Sequence, residues 1–162
     1  IEDYNLNVIL SSSGYMKKVR LTSLRGASEY RLKDGDTITS IRQTSNKSDL
    51  LIFTTKQNCY KVKTHTINDH KPSALGLYLP SHLQLSEDEE IIDIIPTTDY
   101  KEEILIAYVS GRVARVPLTS FVTKTNRTKL SNSLNNEKVV AIHIYEEAKY
   151  ILRTNDKALK NK

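Results

Sequence analysis

The chain has 162 residues, 38% hydrophobic and 27% charged, and its 24 Lys and Arg against 19 Asp and Glu give a net charge of +5. The mean hydropathy of −0.45 fits a soluble globular chain, and its longest apolar runs, such as 91–95, are far too short for a membrane-spanning helix. Glu2, Asp3, Asn5 and Asn7 break any apolar run at the start, so no signal peptide is expected there, and the lone Cys59 has no internal disulfide partner. A single cysteine fits a reducing cytoplasm, with Cys59 expected to be a buried thiol.

Residues 8–10 form a short apolar run rich in β-branched residues. Turn chemistry follows at Ser11-Ser12-Ser13-Gly14, and then an alternating strand over 15–21 with Lys17, Lys18 and Arg20. A loop over 22–30 contains Arg25 and Gly26. Asp34-Gly35 marks the next turn, and a strand anchored by Ile38 and Ile41 follows. The second unit opens with the apolar run 50–53, turns at 56–58, and continues through Cys59, Lys61 and Lys63. Its long loop, 64–81, holds Lys71, Pro72, Gly76 and Pro80. The third unit opens at 104–107, turns at Ser110-Gly111, and continues with Arg112 and Arg115. Its loop, 117–133, carries Lys124, Arg127 and Lys129. A fourth unit starts at Tyr150, turns at 155–157 and carries Lys160.

These units are copies of one another. Gly14, Gln57, Gly111 and Lys157 occupy the same turn position at a spacing of roughly fifty residues. A second signature follows each hairpin. Leu32 and Leu85 are each followed by an acid four residues on (Asp36, Glu89) and by isoleucines six and nine on. Residues 134–144 repeat the pattern with one residue deleted. No long window has helical spacing of apolar residues. The expected fold is therefore all-β, a propeller-like array of four-stranded blades over 7–48, 49–102 and 103–149, with part of a fourth over 150–162. The whole chain 1–162 reads as one domain.

The charges are uneven along the chain. Residues 16–28 and the stretch from Arg112 through Lys129 lack acids, while Glu87, Asp88, Glu89, Glu90, Asp93, Asp99, Glu102 and Glu103 cluster between them. This pattern predicts one basic and one acidic face. The repeated cations (Lys17, Lys18, Arg20; Lys61, Lys63; Arg112, Arg115; Lys160), extended by Arg25, Lys71, Lys124, Arg127 and Lys129, supply a track at a regular pitch suited to neutralising phosphates. No recognition helix or zinc-finger spacing is present, so contact with the DNA backbone rather than base reading is expected. His65, His70, His82 and His143 are scattered and read as hydrogen-bonding side chains, and Glu87–Glu90 as a solvated acidic turn. No metal site and no catalytic cluster emerges.

Several stretches in order resemble one family. They are Gly14-Tyr15-Met16-Lys17-Lys18, Ser23-Leu24-Arg25, Leu32-Lys33-Asp34-Gly35-Asp36, Tyr60-Lys61-Val62-Lys63-Thr64-His65, and Gly111-Arg112-Val113-Ala114-Arg115-Val116-Pro117-Leu118. Together they resemble the C-terminal domain of the A subunit of bacterial type IIA DNA topoisomerases, across nearly the whole chain. The resemblance implies a β-pinwheel that binds double-stranded DNA on its perimeter. It implies a parent A-subunit dimer working with a B subunit, which together use ATP and Mg, with no cofactor in this domain. The DNA-cleaving tyrosine of the family lies in a separate region, so no catalytic residue is expected here. Gyrase carries a Gln-Arg-Arg-Gly-Gly-type box in the first blade. Residues 22–28 hold one Arg-Gly and neither paired arginines nor paired glycines, which is more similar to topoisomerase IV. DNA bending by the A component of a topoisomerase IV is the expected function, assisting duplex capture and strand passage. Two alternatives stand beside it, a DNA-wrapping gyrase domain and a propeller-like protein-interaction module. Gln57 in place of glycine, and Ala114 where the family often has a cation, depart from the family pattern.

Overall fold

Gly14, Gln57 and Gly111 take positive φ (96°, 65° and 90°), and at each the chain folds back on itself as a hairpin. The computed structural model describes residues 1–24, 30–123, 125–129 and 137–145. In chain order, β1 (Asn5–Ser11) and β2 (Tyr15–Arg20) form the first hairpin, followed by a 3-10 turn at Leu21–Leu24 and by β3 (Ile38–Ser45). β4 (Asp49–Thr54) and β5 (Asn58–Lys63) form the second. A 3-10 turn at Thr64–Thr66, the short β6 (Leu77–Tyr78), a single helical turn α1 (Leu79–His82) and β7 (Ile91–Thr97) come next. The third hairpin joins β8 (Glu103–Tyr108) to β9 (Val113–Pro117). It is followed by a 3-10 turn at Leu118–Phe121, β10 (Arg127–Lys129) and β11 (Val139–Tyr145). Among the described residues no helix is long and apolar enough to cross a membrane. The fourth unit, from Tyr150 onward, lies outside them.

The strands make three antiparallel sheets in the orders β3-β1-β2-β6, β10-β5-β4-β7 and β11-β8-β9. The fold is the expected all-β, propeller-like array. Its sheets, however, do not follow the sequence units. β6 lies in the loop of the second unit and pairs with β2 of the first (Tyr15 with Tyr78, Met16 with Leu77). β10 lies in the loop of the third and pairs with β5 of the second (Arg127 with Tyr60, Lys129 with Asn58). Each of the first two sheets is thus completed by a strand from its neighbour.

Two hydrophobic layers hold the sheets together, and β4 explains both. Its side chains alternate, so Leu50 and Ile52 join Leu6, Val8, Leu10 and Met16 between the first and second sheets. Leu51 and Phe53 join Ile104, Ile106, Val116 and Phe121 between the second and third. Phe53 meets Phe121 edge-on, with ring centroids 5.4 Å apart. This is why 50–53 is continuously apolar: a strand buried on both faces has no polar side. Cys59 is buried in the second layer, and burial pushes its thiol up to about 12. The expectation for Ile38 and Ile41 is corrected, since they are 39% and 48% exposed. Ile41 stands opposite Ile9 and Ile38 opposite Ser11, on the face of the first sheet turned away from the second. No other sheet among the described residues covers that face.

The repeated acid has a structural task in all three units. Asp36 accepts hydrogen bonds from the Ser12 and Ser13 hydroxyls and the Ser13 N–H at the first hairpin turn. Glu89 accepts from Thr54 Oγ1 (2.5 Å), Asn58 Nδ2 (2.8 Å) and Tyr60 OH (3.3 Å) at the second. Glu137 binds Ser110 and Arg112 at the third. Glu89 is therefore buried, not part of a wholly solvated acidic turn. Burial disfavours its charge, but the donors from Asn58, Thr54 and Tyr60 outweigh it and hold the carboxyl below its ordinary range. The folded state therefore binds fewer protons than the unfolded one near that range. The stabilisation is complete above the unfolded carboxyl value of about 4.3 and is lost as pH falls towards the folded one. Glu89→Gln is expected to lose about 1–3 kcal/mol at pH 7 in urea denaturation. The gap from wild type should narrow at pH 3.5, and a gap that stays constant with pH would contradict the assignment.

Candidate nucleic-acid interface

Lys17 and Lys18 are adjacent in β2 and point to opposite faces, yet both are only 2% exposed. Lys17 Nζ donates to the carbonyls of Arg31 and of Pro72, the latter at 2.9 Å, and so joins two loops over the outer face of the first sheet. Lys18 Nζ donates to Asn46 Oδ1 (2.7 Å), Thr64 O (3.0 Å) and Ile67 O (2.8 Å), with Asp69 at 3.5 Å. Desolvation lowers the pKa of both ammoniums, with Arg31 adding to the effect at Lys17 and Asp69 opposing it at Lys18. These two lysines are corrected from the expected track. Their protons are committed inside the protein, and a phosphate could reach them only by opening the fold.

Lys61 occupies the position in the second unit that Lys18 holds in the first, four residues after the turn. It is half-buried, and its Nζ donates to Phe121 O (3.2 Å) and Thr123 O (2.5 Å) in the third unit. Arg115 is the corresponding residue of the third unit. It binds Glu103 through Nε (2.6 Å) and Nη2 (3.0 Å), and its guanidinium lies 4.0 Å from the centre of the Tyr145 ring.

Other predicted cations also face acids. Arg20 binds Asp69 (2.8 Å) and Glu2 (3.1 Å), with its guanidinium 3.6 Å from the centre of the Tyr4 ring. Those two carboxylates raise its pKa, and Tyr4, half-buried and hydrogen-bonded to Asp69, is raised to about 12 by desolvation and that carboxylate. Arg112 binds Glu137 at 3.0 Å and lies over Tyr108. Lys63 approaches Asp49 at 3.4 Å while its side chain stays 63% exposed. Charge that is segregated along the chain is thus partly paired in space. His70 Nδ1 accepts from the Lys18 N–H at 3.0 Å, so this histidine is a hydrogen-bonding one, as its type suggested.

Some of the exposed cations stand near the exchanged strand of the second sheet. Arg127 is exposed on β10, and Lys129 ends that strand. A groove of about 550 Å³ runs between β5 and the following unit, lined by Lys61, Val62, Lys63, Thr66, Thr123 and Asn126. A second groove, of about 790 Å³, lies at the hairpin tip, where Arg127, Lys56 and Lys138 stand with Asp88 and Glu137. Lys56 is held by Asp88 at 2.8 Å. Lys56 and Lys138 stand outside the expected track. Lys71 is exposed in the loop beside Pro72. Arg25, Lys124 and Lys160 lie outside the described residues.

Comparison with known proteins gives a consistent picture. A family model described as the DNA gyrase C-terminal domain, a β-propeller, matches residues 8–45 and 48–98. The A subunit of DNA topoisomerase 4 from Staphylococcus epidermidis is 27% identical over 134 residues, 80% of this chain and 16% of that protein. The A subunit of DNA gyrase from Streptococcus pneumoniae is 26% identical over 157 residues, 90% of this chain and 19% of that one. The chain thus spans less than a fifth of the length of these two relatives. The crystal structure of the C-terminal domain of DNA topoisomerase IV superposes with a TM-score of 0.76 at 25% identity, covering 89% of this chain and 46% of that one.

Proposed function

Since the chain belongs to the DNA gyrase C-terminal domain family, we propose that it binds and bends duplex DNA without sequence preference, as part of the A subunit of a type II topoisomerase. The observation that carries this reading is the groove beside β5. There the water-exposed Lys63 stands with the hydroxyls of Thr66 and Thr123 and the amide of Asn126, while Arg127 lines the second groove at the hairpin tip. Cations and small polar donors are what phosphate oxygens require. The longest helix among the described residues is the four-residue α1, which supplies nothing to enter a major groove. Between the two enzymes we favour topoisomerase IV, on the single Arg-Gly in residues 22–28. In the parent enzyme the module would present a duplex segment for strand passage, working with the ATP-using B subunit and the rest of the A-subunit dimer.

The carboxylates beside Arg20, Lys63, Arg112 and Arg115 compete with phosphate, so the number of effective contacts is smaller than the number of cations. With about three contacts, affinity for a duplex of about 30 base pairs should fall about 40-fold between 50 and 200 mM salt. Lys63→Ala combined with Arg127→Ala should weaken binding to all sequences alike and reduce the slope of log K against log salt by about 1.8. Absence of binding at 50 mM salt, or binding indifferent to salt, would overturn the proposal.

A further inference from the structure

We infer that the lysine four residues after each of the first two hairpin turns is a positioning residue that fixes one sheet against the next, and that Lys61 thereby sets the path of bound DNA. Only this last step rests on the DNA reading above. Lys18 and Lys61 follow the turn residues Gly14 and Gln57 at the same distance. Each stands opposite a residue of the hydrophobic layer facing the following sheet, Lys18 opposite Val8 and Lys61 opposite Leu51. Each then reaches the 3-10 turn of the next unit or the residues just after it. Lys18 takes the carbonyls of Thr64 and Ile67, and Lys61 those of Phe121 and Thr123. Thr64 O and Phe121 O also accept from the Ile67 and Thr123 N–H groups, so there the ammonium takes a carbonyl's second lone pair.

The repeat of this lysine in the first two units is thus explained by the repeat of the joint. A phosphate contact would not require a common offset directed inward. Arg115 has the same offset and stands opposite Leu105, on the face of the third sheet turned away from the second. The hydrophobic layers keep the sheets together, but apolar contacts are non-directional and allow sliding. Two directed bonds to fixed carbonyls define the angle. Because successive sheets carry the exposed cations, that angle decides how Lys63 and Arg127 line up with cations on neighbouring sheets.

The test uses the whole chain with spin labels on Lys47→Cys and Val109→Cys, an exposed turn that leads into β4 of the second sheet and an exposed turn of the third. Cys59, buried with a suppressed thiolate, stays unlabelled. Lys61→Met should at least double the width of the label-to-label distance distribution, and Lys61→Arg, which keeps the donors, should restore it. On a duplex labelled at both ends, Lys61→Met should reduce energy transfer between the ends while leaving the salt slope of binding unchanged. If Lys61→Met does not fold, Lys61→Gln is measured in its place. An unchanged distance distribution overturns the joint. A salt slope reduced by about 0.9 overturns it in favour of a direct phosphate contact. Failure of the wild-type chain to bind DNA overturns the functional reading and the claim about the DNA path, and the distance measurement then still decides the joint.

Discussion

Lys18→Met is expected to lower stability by about 3–5 kcal/mol, measured by urea denaturation at pH 7. Methionine matches the length of the lysine stem, so packing between the first two sheets changes little. Two electrostatic effects oppose each other. Removing a buried ammonium relieves the desolvation that lowers its pKa. It also leaves Asn46 Oδ1 and Ile67 O without their donor, each at about 1–3 kcal/mol when buried, while Thr64 O keeps the Ile67 N–H. The two orphaned acceptors outweigh one relieved charge. Lys17→Met, with two carbonyl partners, should cost less. If the two variants proved as stable as wild type and bound DNA more weakly, the buried arrangement would be wrong. A combined Lys17, Lys18 and Arg20 replacement would therefore weaken DNA binding by reducing the folded fraction, and would not identify a contact surface.

Gly76→Ala should be at least as damaging, with a loss of about 4 kcal/mol or more. A Cβ built at Gly76 would lie 2.4 Å from the Met16 carbonyl oxygen and 3.0 Å from its carbon, at a φ of +99°. Both atoms are backbone and cannot rotate away. Relief would require lifting β6 from β2, where only Tyr15–Tyr78 and Met16–Leu77 are paired. Gly35→Ala and Gly111→Ala are the matched controls. Both have positive φ, but nothing lies within 4 Å of the added Cβ. They should show only the backbone cost of about 1–2 kcal/mol. Thermal melts of the three variants test the difference, and three similar shifts would remove the special role of the β6 approach.

The turns, the strand pattern and the pairing of successive strands were legible because each depends on residues close in sequence. Gly14, Gln57 and Gly111 marked the hairpins, and the unbroken apolar run of β4 reflects burial on both faces. The acid at Asp36 and Glu89 was visible as a repeat, but its role was not. The hydroxyl and amide donors it serves are 23 to 35 residues away. Strand exchange was hidden for a different reason. β6 and β10 have two and three residues, too few for a periodic signal. Ile38 and Ile41 looked like core because their type favours burial, yet burial also requires a second sheet on the correct side.

By itself the sequence determined an all-β chain built from repeated hairpins, the place of each turn, and the family to which the repeat belongs. These follow from backbone preference and from side-chain alternation along each strand, both local properties. Only the tertiary structure decided what the cations do. A lysine after a turn has the same composition and spacing whether its ammonium faces water or a carbonyl. The difference lies in which acceptors the neighbouring unit brings within about 3 Å. Lys18 and Lys61 meet the carbonyls of the next sheet, Arg20 and Arg115 meet carboxylates, and Lys63 keeps most of its side chain in water.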